Sequence, residues 1–190
     1  MNSTLHHHYP LANQSEATSS TSTINVVEKR DLSIYQLLSI ASTIDAIYDS
    51  FGIPHSSTSF NQSDNYLIVP LAKGRWLIFA LYRGQVADPS AMQLPTGAYL
   101  ADVSHAYTVL EISGPSVDEF MRKGCRINLN PEIFTTGMCA QTLVAEVSVL
   151  LLKKDEQPTY ILIIPSGYSK SFWQWIEEAA AEFGINYTVK

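Results

Sequence analysis

The chain is poor in the features that usually announce a function. It has two cysteines, Cys125 and Cys139, and neither sits in a CxxC pair, so no zinc site is expected. Their spacing permits one disulfide; it permits equally well two small buried side chains in a reducing compartment, which is the reading adopted. Lys and Arg number 12 against 18 Asp and Glu, giving a net charge of −6 and a pI near 5.3. A nucleic-acid binder presents a basic stripe, and none is present. No basic amphipathic stretch points to a membrane surface. The longest apolar runs, Val149–Leu152 and Tyr160–Pro165, fall far short of the ~20 residues that cross a bilayer. The N-terminus has no apolar leader, so a cytoplasmic location is expected. No nucleophile stands beside a base, and no metal-ligand set or phosphate loop appears.

What is there reads as one α+β domain. An apolar content of 46% in 190 residues is enough for a core. Residues 1–23 are rich in Ser and Thr and poor in apolar side chains, which predicts a flexible arm ahead of a domain over 24–190. His6, His7 and His8 lie in that arm without acidic or cysteine companions, as a solvated tail would. Ile24–Val27 is a short strand. A helix is expected from Asp31 or Ser33 to Phe51, with Leu37, Ile40, Ile44, Ile47, Tyr48 and Phe51 on its apolar face and Gly52 as its stop. Tyr66–Leu71 and Arg75–Tyr82 form a hairpin whose second strand is central, with Trp76 in the core. Residues 83–101 show no long period. Ala140–Lys153 reads as one strand, with Thr159–Ile164 as its antiparallel neighbour. A last helix runs from about Ser169 to Phe183. Ile185–Val189 is an edge strand or a frayed end.

The stretch from Asp102 to Thr142 organises the rest. Tyr107–Ile112 is a strand, and Gly114-Pro115 breaks it, with the proline at the first position of a short helix. Asp118 and Glu119 in the first turn and Arg122 and Lys123 in the last suit the helix dipole. Gly124 is read as the helix stop. The strings DVSHAYTVLEISGP, KGCRINLNPEIF and GMCAQT, with PTYILII and SFWQWIEEAAAEFG after them, resemble the γ subunit of heterotetrameric sarcosine oxidase. The resemblance is strong over the C-terminal half and weaker over 24–81.

That resemblance implies a fold like the N-terminal, folate-binding part of the glycine-cleavage T protein: antiparallel sheet with helices packed on it, in two approximate strand-helix-strand-strand rounds. It implies a non-catalytic subunit of a complex that oxidatively demethylates sarcosine. FAD, FMN, NAD, tetrahydrofolate and zinc would be held by the α, β and δ partners, with none on this chain. The alternatives are a free-standing folate-dependent aminomethyltransferase-like protein, or the γ subunit of an oxidase for another N-methyl amine. The family pattern has a second long helix before its D-(V/L)-S motif, where this sequence has room for only a turn near Asp88–Gln93. Asp102, Gly114, Pro115, Lys123, Gly124, Cys125 and Gly137 are read as structural motif positions. Asp102 and Tyr107 could be imagined in a folate site, but Asp102 before Ser104 serves as well as a strand-end cap. His105 is read as a structural or interface histidine, because Ser104 beside it on a strand would point to the opposite face. Cys125 has Lys123 and Arg126 nearby, yet packing is the preferred role. Trp173, Trp175 and Tyr168 are the candidate subunit contacts, since Trp and Tyr anchor interfaces.

Overall fold

A computed structural model describes residues 10–11, 23–30, 32–53, 55–63, 66–81 and 94–190. The elements in chain order are β1 (Ile24–Lys29), β2 (Leu32–Ser39), α1 (Ile44–Phe51), β3 (Asn61–Gln62), β4 (Tyr66–Ala72), β5 (Arg75–Leu81), β6 (Ala98–Asp102), β7 (Tyr107–Ser113), α2 (Val117–Arg122), β8 (Cys139–Val144), β9 (Val147–Lys153), β10 (Tyr160–Pro165), α3 (Ser169–Ala179) and β11 (Ile185–Val189). They build two sheets. The first has six strands in the order β11-β1-β7-β10-β9-β8, and the second has five in the order β3-β4-β5-β2-β6. Every pairing is antiparallel except β1 with β11.

Side-chain alternation along the strands explains the layering. Leu67, Val69, Leu77, Phe79 and Ile34 of the five-stranded sheet meet Val109, Leu150, Leu152, Ile161 and Ile163 of the six-stranded sheet in one core. The opposite face of the six-stranded sheet carries Val26, Leu110, Ile112, Leu151 and Leu162. These pack on Val117, Phe120 and Met121 of α2 and on Phe172, Trp173 and Ile176 of α3. The outer face of the five-stranded sheet carries Leu37, Ile68, Trp76 and Ile78 beneath Ile44 and Ile47 of α1. The order of layers is α1, sheet, sheet, then α2 with α3. Antiparallel sheet with helices packed on it is as expected, and it is built as two sheets, each with its helical cover on one face.

The two sheets are also sewn together at one edge. The Cys139 N–H donates to the Thr58 carbonyl at 2.7 Å and the Phe60 N–H to the Gly137 carbonyl at 3.1 Å. Ser59 and Met138 form a bridge between these bonds.

Three local expectations are corrected. The helix expected from Asp31 or Ser33 to Phe51 is a strand followed by a helix: Leu32–Ser39 lies between β5 and β6, and only Ile44–Phe51 is α-helical. Gly52 does end it, at φ 57°. The single strand expected over Ala140–Lys153 is a hairpin, β8 and β9, that turns at Ala145 (φ 49°) and Glu146 (φ 63°). Two successive left-handed residues make a hairpin turn of the kind that normally uses Asn-Gly. Residues 98–101, read as part of an irregular stretch, belong to β6. The central β5 holds: Trp76, Leu77, Ile78 and Phe79 are all buried. Tyr82 and the turn expected near Asp88–Gln93 lie outside the described residues, as do Asp31 and most of the 1–23 arm. Leu11 is described, and it is buried in the core beside α3.

Candidate functional site

Three of the motif residues, Lys123, Gly124 and Cys125, meet in one clasp between α2, α3 and the β8–β9 turn. Pro115 does not open α2. It sits in a turn closed by the Val117 N–H on the Gly114 carbonyl at 3.1 Å, and the first helical residue is Val117. Gly114 (φ 125°) lies so close to the Thr23 carbonyl that a Cβ would penetrate it, so only glycine fits where β7 meets the start of β1. At the other end of α2, Lys123 reaches across to α3. Its Nζ donates to the Ala179 carbonyl at 2.7 Å, pairs with Glu182, and lies 4.5 Å from the centre of the Phe183 ring. It thereby satisfies a carbonyl that a helix C-terminus leaves without a partner.

Gly124 has no left-handed φ. A Cβ there would stand 2.5 Å from Cζ2 of Trp175 and 3.2 Å from the Ala145 nitrogen. Its absence of a side chain is a packing requirement. Cys125 bridges Val144, and the Arg126 guanidinium grips Glu146 of the strained turn at 2.6 Å and 2.8 Å. Burial raises the Cys125 thiol, partly opposed by a backbone hydrogen bond, and pushes Cys139 up to about 12. Both are thiols and free, so neither is an activated nucleophile at neutral pH. Gly137 (φ 87°) turns the chain into the seam beside Thr58–Phe60, with open space where its side chain would be.

Asp102 caps the turn after β6. Its Oδ1 accepts the Ser104 N–H at 2.9 Å and the Ser104 O–H at 2.7 Å. Ser104–Ala106 is a 3-10 turn, not strand, so alternation is not what separates Ser104 from His105. The Ser104 oxygen is instead taken up by Asp102 and by the Ile34 N–H at 2.9 Å. Asp102 does not line the cleft nearby; Glu28, Arg30, Ser104, His105 and Tyr107 do, around a volume of about 30 Å³. That is room for a water, whereas small-molecule sites run to ~300 Å³ or more.

Sequence reasoning missed one cluster. Glu28 is buried at the end of β1, and its Oε2 accepts the Tyr187 O–H at 2.6 Å and pairs with Arg30 at 2.6 Å. Arg30 also donates to the Leu11 carbonyl at 3.2 Å. Burial, then the bond to Glu28, raises the Tyr187 phenol well above its ordinary range. The signal was in the alternation: Ile24, Val26 and Glu28 share the buried face of β1, so a charge had to find a partner inside. A second phenol, Tyr160, donates to Asp118 of α2 at 2.7 Å.

Of the candidate interface residues, Tyr168 is 56% exposed. Trp173 is buried, its ring 4.5 Å from that of Tyr187, and so has little surface to offer. Trp175 is half-buried and stacks on Phe120 and Phe172, filling the space over Gly124. An amphipathic helix with aromatic flanks does not reveal which flank its own domain will cover. Among the described residues no group of three or more His, Cys, Asp or Glu is placed to hold a metal, and no described helix is long and apolar enough to cross a membrane.

The pattern of the sarcosine oxidase, gamma subunit family matches residues 58–182, which takes in the clasp, the seam and β4 through α3. The chain belongs to that family. The gamma subunit of Corynebacterium sp. (strain P-1) is 35% identical over 82 residues, which is 43% of this chain and 40% of that protein. That of Arthrobacter sp. is 34% identical over 83 residues, again 43% and 40%. The matched stretch thus spans less than half the length of these relatives. In fold, the chain superposes on a chain of the heterotetrameric sarcosine oxidase from Corynebacterium sp. U-96 with a TM-score of 0.77, at 19% identity, covering 93% of this chain and 95% of that one. It also superposes on aminomethyltransferase T of the glycine cleavage system from Bartonella henselae, with a TM-score of 0.59 at 7% identity, covering 89% of this chain and 48% of that one. The expected likeness to the T protein is therefore borne out at the level of fold.

Proposed function

We propose that this chain is the non-catalytic γ subunit of a heterotetrameric sarcosine oxidase and braces the subunits that do the chemistry. The observation that carries the reading is the family match over 58–182, together with the fold it shares with a chain of such an assembly. The structure adds support from how the motif is used. Lys123, Gly124, Cys125, Gly114 and Asp102 are all occupied in packing, capping or hydrogen bonding within the chain. In this reading FAD, FMN, NAD, tetrahydrofolate and zinc are bound by the α, β and δ subunits, where sarcosine is oxidatively demethylated to glycine with release of hydrogen peroxide. The work of this chain is burial of apolar surface against partners, as in permanent assemblies that bury ~2,000 Å² or more.

The test is to express the α, β and δ subunits with and without this chain. Sarcosine-dependent peroxide formation and the mass of the complex are then measured. The proposal expects the four to purify together, and this chain alone to give no peroxide. A chain that stays apart from the flavin-containing subunits would defeat it. The folate-dependent aminomethyltransferase reading draws on the T-protein fold alone. Tetrahydrofolate titrated into the isolated chain separates the two.

A further inference from the structure

The inner face of the five-stranded sheet runs out beyond the six-stranded sheet that covers it. Ile34 and Phe79 are paired neighbours and lie in the shared core. Two residues on, the same face carries the row Leu77, Gln36 and Ala101, of which Leu77 is still buried and Ala101 already exposed. Two further on comes the row Arg75, Leu38 and Tyr99, where Leu38 is 37% and Tyr99 64% exposed. Ile40 continues this face at 52% exposure; its N–H donates to the Gly97 carbonyl, and its side chain lies over Gly97. Three of the five exposed large apolar side chains among the described residues therefore form one ledge.

Among the described residues the edge beside the ledge is open. Among the described residues no strand pairs with the outer side of β6. Its sequence, Ala-Tyr-Leu-Ala before Asp102, has none of the lysines or prolines that protect exposed edges. The other long edges are treated differently. β8 is bridged by Thr58–Phe60, and β11 shows no exposed side chain. The ledge also has a charged rim. Arg75 is the cross-strand neighbour of Leu38, and exposed Lys73 is in the adjoining turn. Among the described residues neither cation has an acidic partner, on a chain of net charge −6.

Given the subunit reading above, we propose that an extended segment of a partner subunit adds as a strand beside β6 with its apolar side chains on the ledge of Leu38, Ile40 and Tyr99, and that an acidic residue of the same subunit reaches Lys73 and Arg75 on the far side of that ledge. Strand addition takes up the open backbone edge, and alternate side chains take the ledge. A second copy fits less well. Its β6 would bring one acid, Asp102, whose carboxylate already holds Ser104, and two chains of net charge −6 repel.

The test is co-expression of the full chain with a tagged partner subunit of its oxidase, followed by capture, light scattering and thermal melts. Leu38→Lys and Tyr99→Lys are expected to weaken capture by about 30-fold, the loss of one aromatic hot spot. Arg75→Glu is expected to weaken it and flatten its salt dependence, while Ile133→Lys, at an exposed apolar side chain off the ledge, leaves it intact. Should a lysine variant melt early, Tyr99→Ser, which removes only an exposed ring, gives the same readout. Normal capture of the folded ledge variants refutes the ledge and leaves the subunit reading standing. Failure of the wild-type chain to be captured overturns both. A wild-type homodimer that Tyr99→Lys dissociates overturns the choice of partner.

Discussion

Gly124→Ala adds a single methyl group, and the structure says where it goes: 2.5 Å from Cζ2 and 3.0 Å from Cε2 of Trp175. Ordinary carbon–carbon contact is ~3.5–4.0 Å, so the indole must retreat by about 1 Å. It has little freedom to do so, because its ring stands 5.2 Å from that of Phe120 and 5.3 Å from that of Phe172, both fully buried. Overpacking of this kind costs about 1–3 kcal/mol. Against that, alanine restricts the unfolded chain, which returns about 0.4–1 kcal/mol. The expected net loss is about 1–2 kcal/mol, a fall in Tm of about 2–8 °C for a chain of this length. Scanning calorimetry measures it, and a cycle with Trp175→Leu isolates the clash, since in that background Gly124→Ala keeps only the 3.2 Å contact with the Ala145 nitrogen and is expected to cost markedly less. Gly124→Asn separates this account from a left-handed cap: asparagine is tolerated at a cap but is worse than alanine under Trp175. A Gly124→Ala protein as stable as the parent refutes the packing argument.

Other expectations can be checked the same way. Gly114→Ala, which drives a Cβ into the Thr23 carbonyl at φ 125°, is expected to abolish soluble expression or cost about 3 kcal/mol or more, read by urea unfolding. Replacing Ala145-Glu146 by Asn-Gly relieves two left-handed residues and is expected to raise stability by about 1 kcal/mol, less whatever the exposed Arg126–Glu146 pair contributes. Lys123→Met removes the bond to the Ala179 carbonyl and the pair with Glu182 while keeping the stem over Phe183; a loss of about 0.5–1 kcal/mol is expected in chemical denaturation. Burial raises both thiols and the Tyr160 and Tyr187 phenols, so each favours the native state fully below its unfolded pKa and less as pH rises. Tm is therefore expected to hold up to about pH 8 and fall above it, with slow alkylation of Cys139 in the native protein.

The elements legible in the sequence are those where pattern and neighbours agree. The β4–β5 hairpin, β7, β10 and α3 have both the right residues and a core to put them in. The misread elements are those decided elsewhere in the molecule. Leu37, Ile40, Ile44, Ile47 and Tyr48 keep helical spacing, but β5 and β6 supply hydrogen-bond partners on both sides of Leu32–Ser39, and pairing overrides local preference. The β8–β9 turn carries Ala-Glu in a conformation that normally demands Asn or Gly, so nothing local marks it; the grip of Arg126 on Glu146 helps hold it. The clasp that Lys123–Cys125 makes on α3 was not legible. Its partners, Trp175 and Ala179, lie some fifty residues further on.

The parallel pairing of β1 with β11 sets the order of events during synthesis. Asn25 and Asn186, hydrogen-bonded neighbours at that edge, stand 161 positions apart. β1 is made well before β7, its antiparallel partner, and longer still before β11, which pairs with its other side. Contacts of such long range make folding slow, and until they close, Glu28 has been made without Tyr187 to receive it.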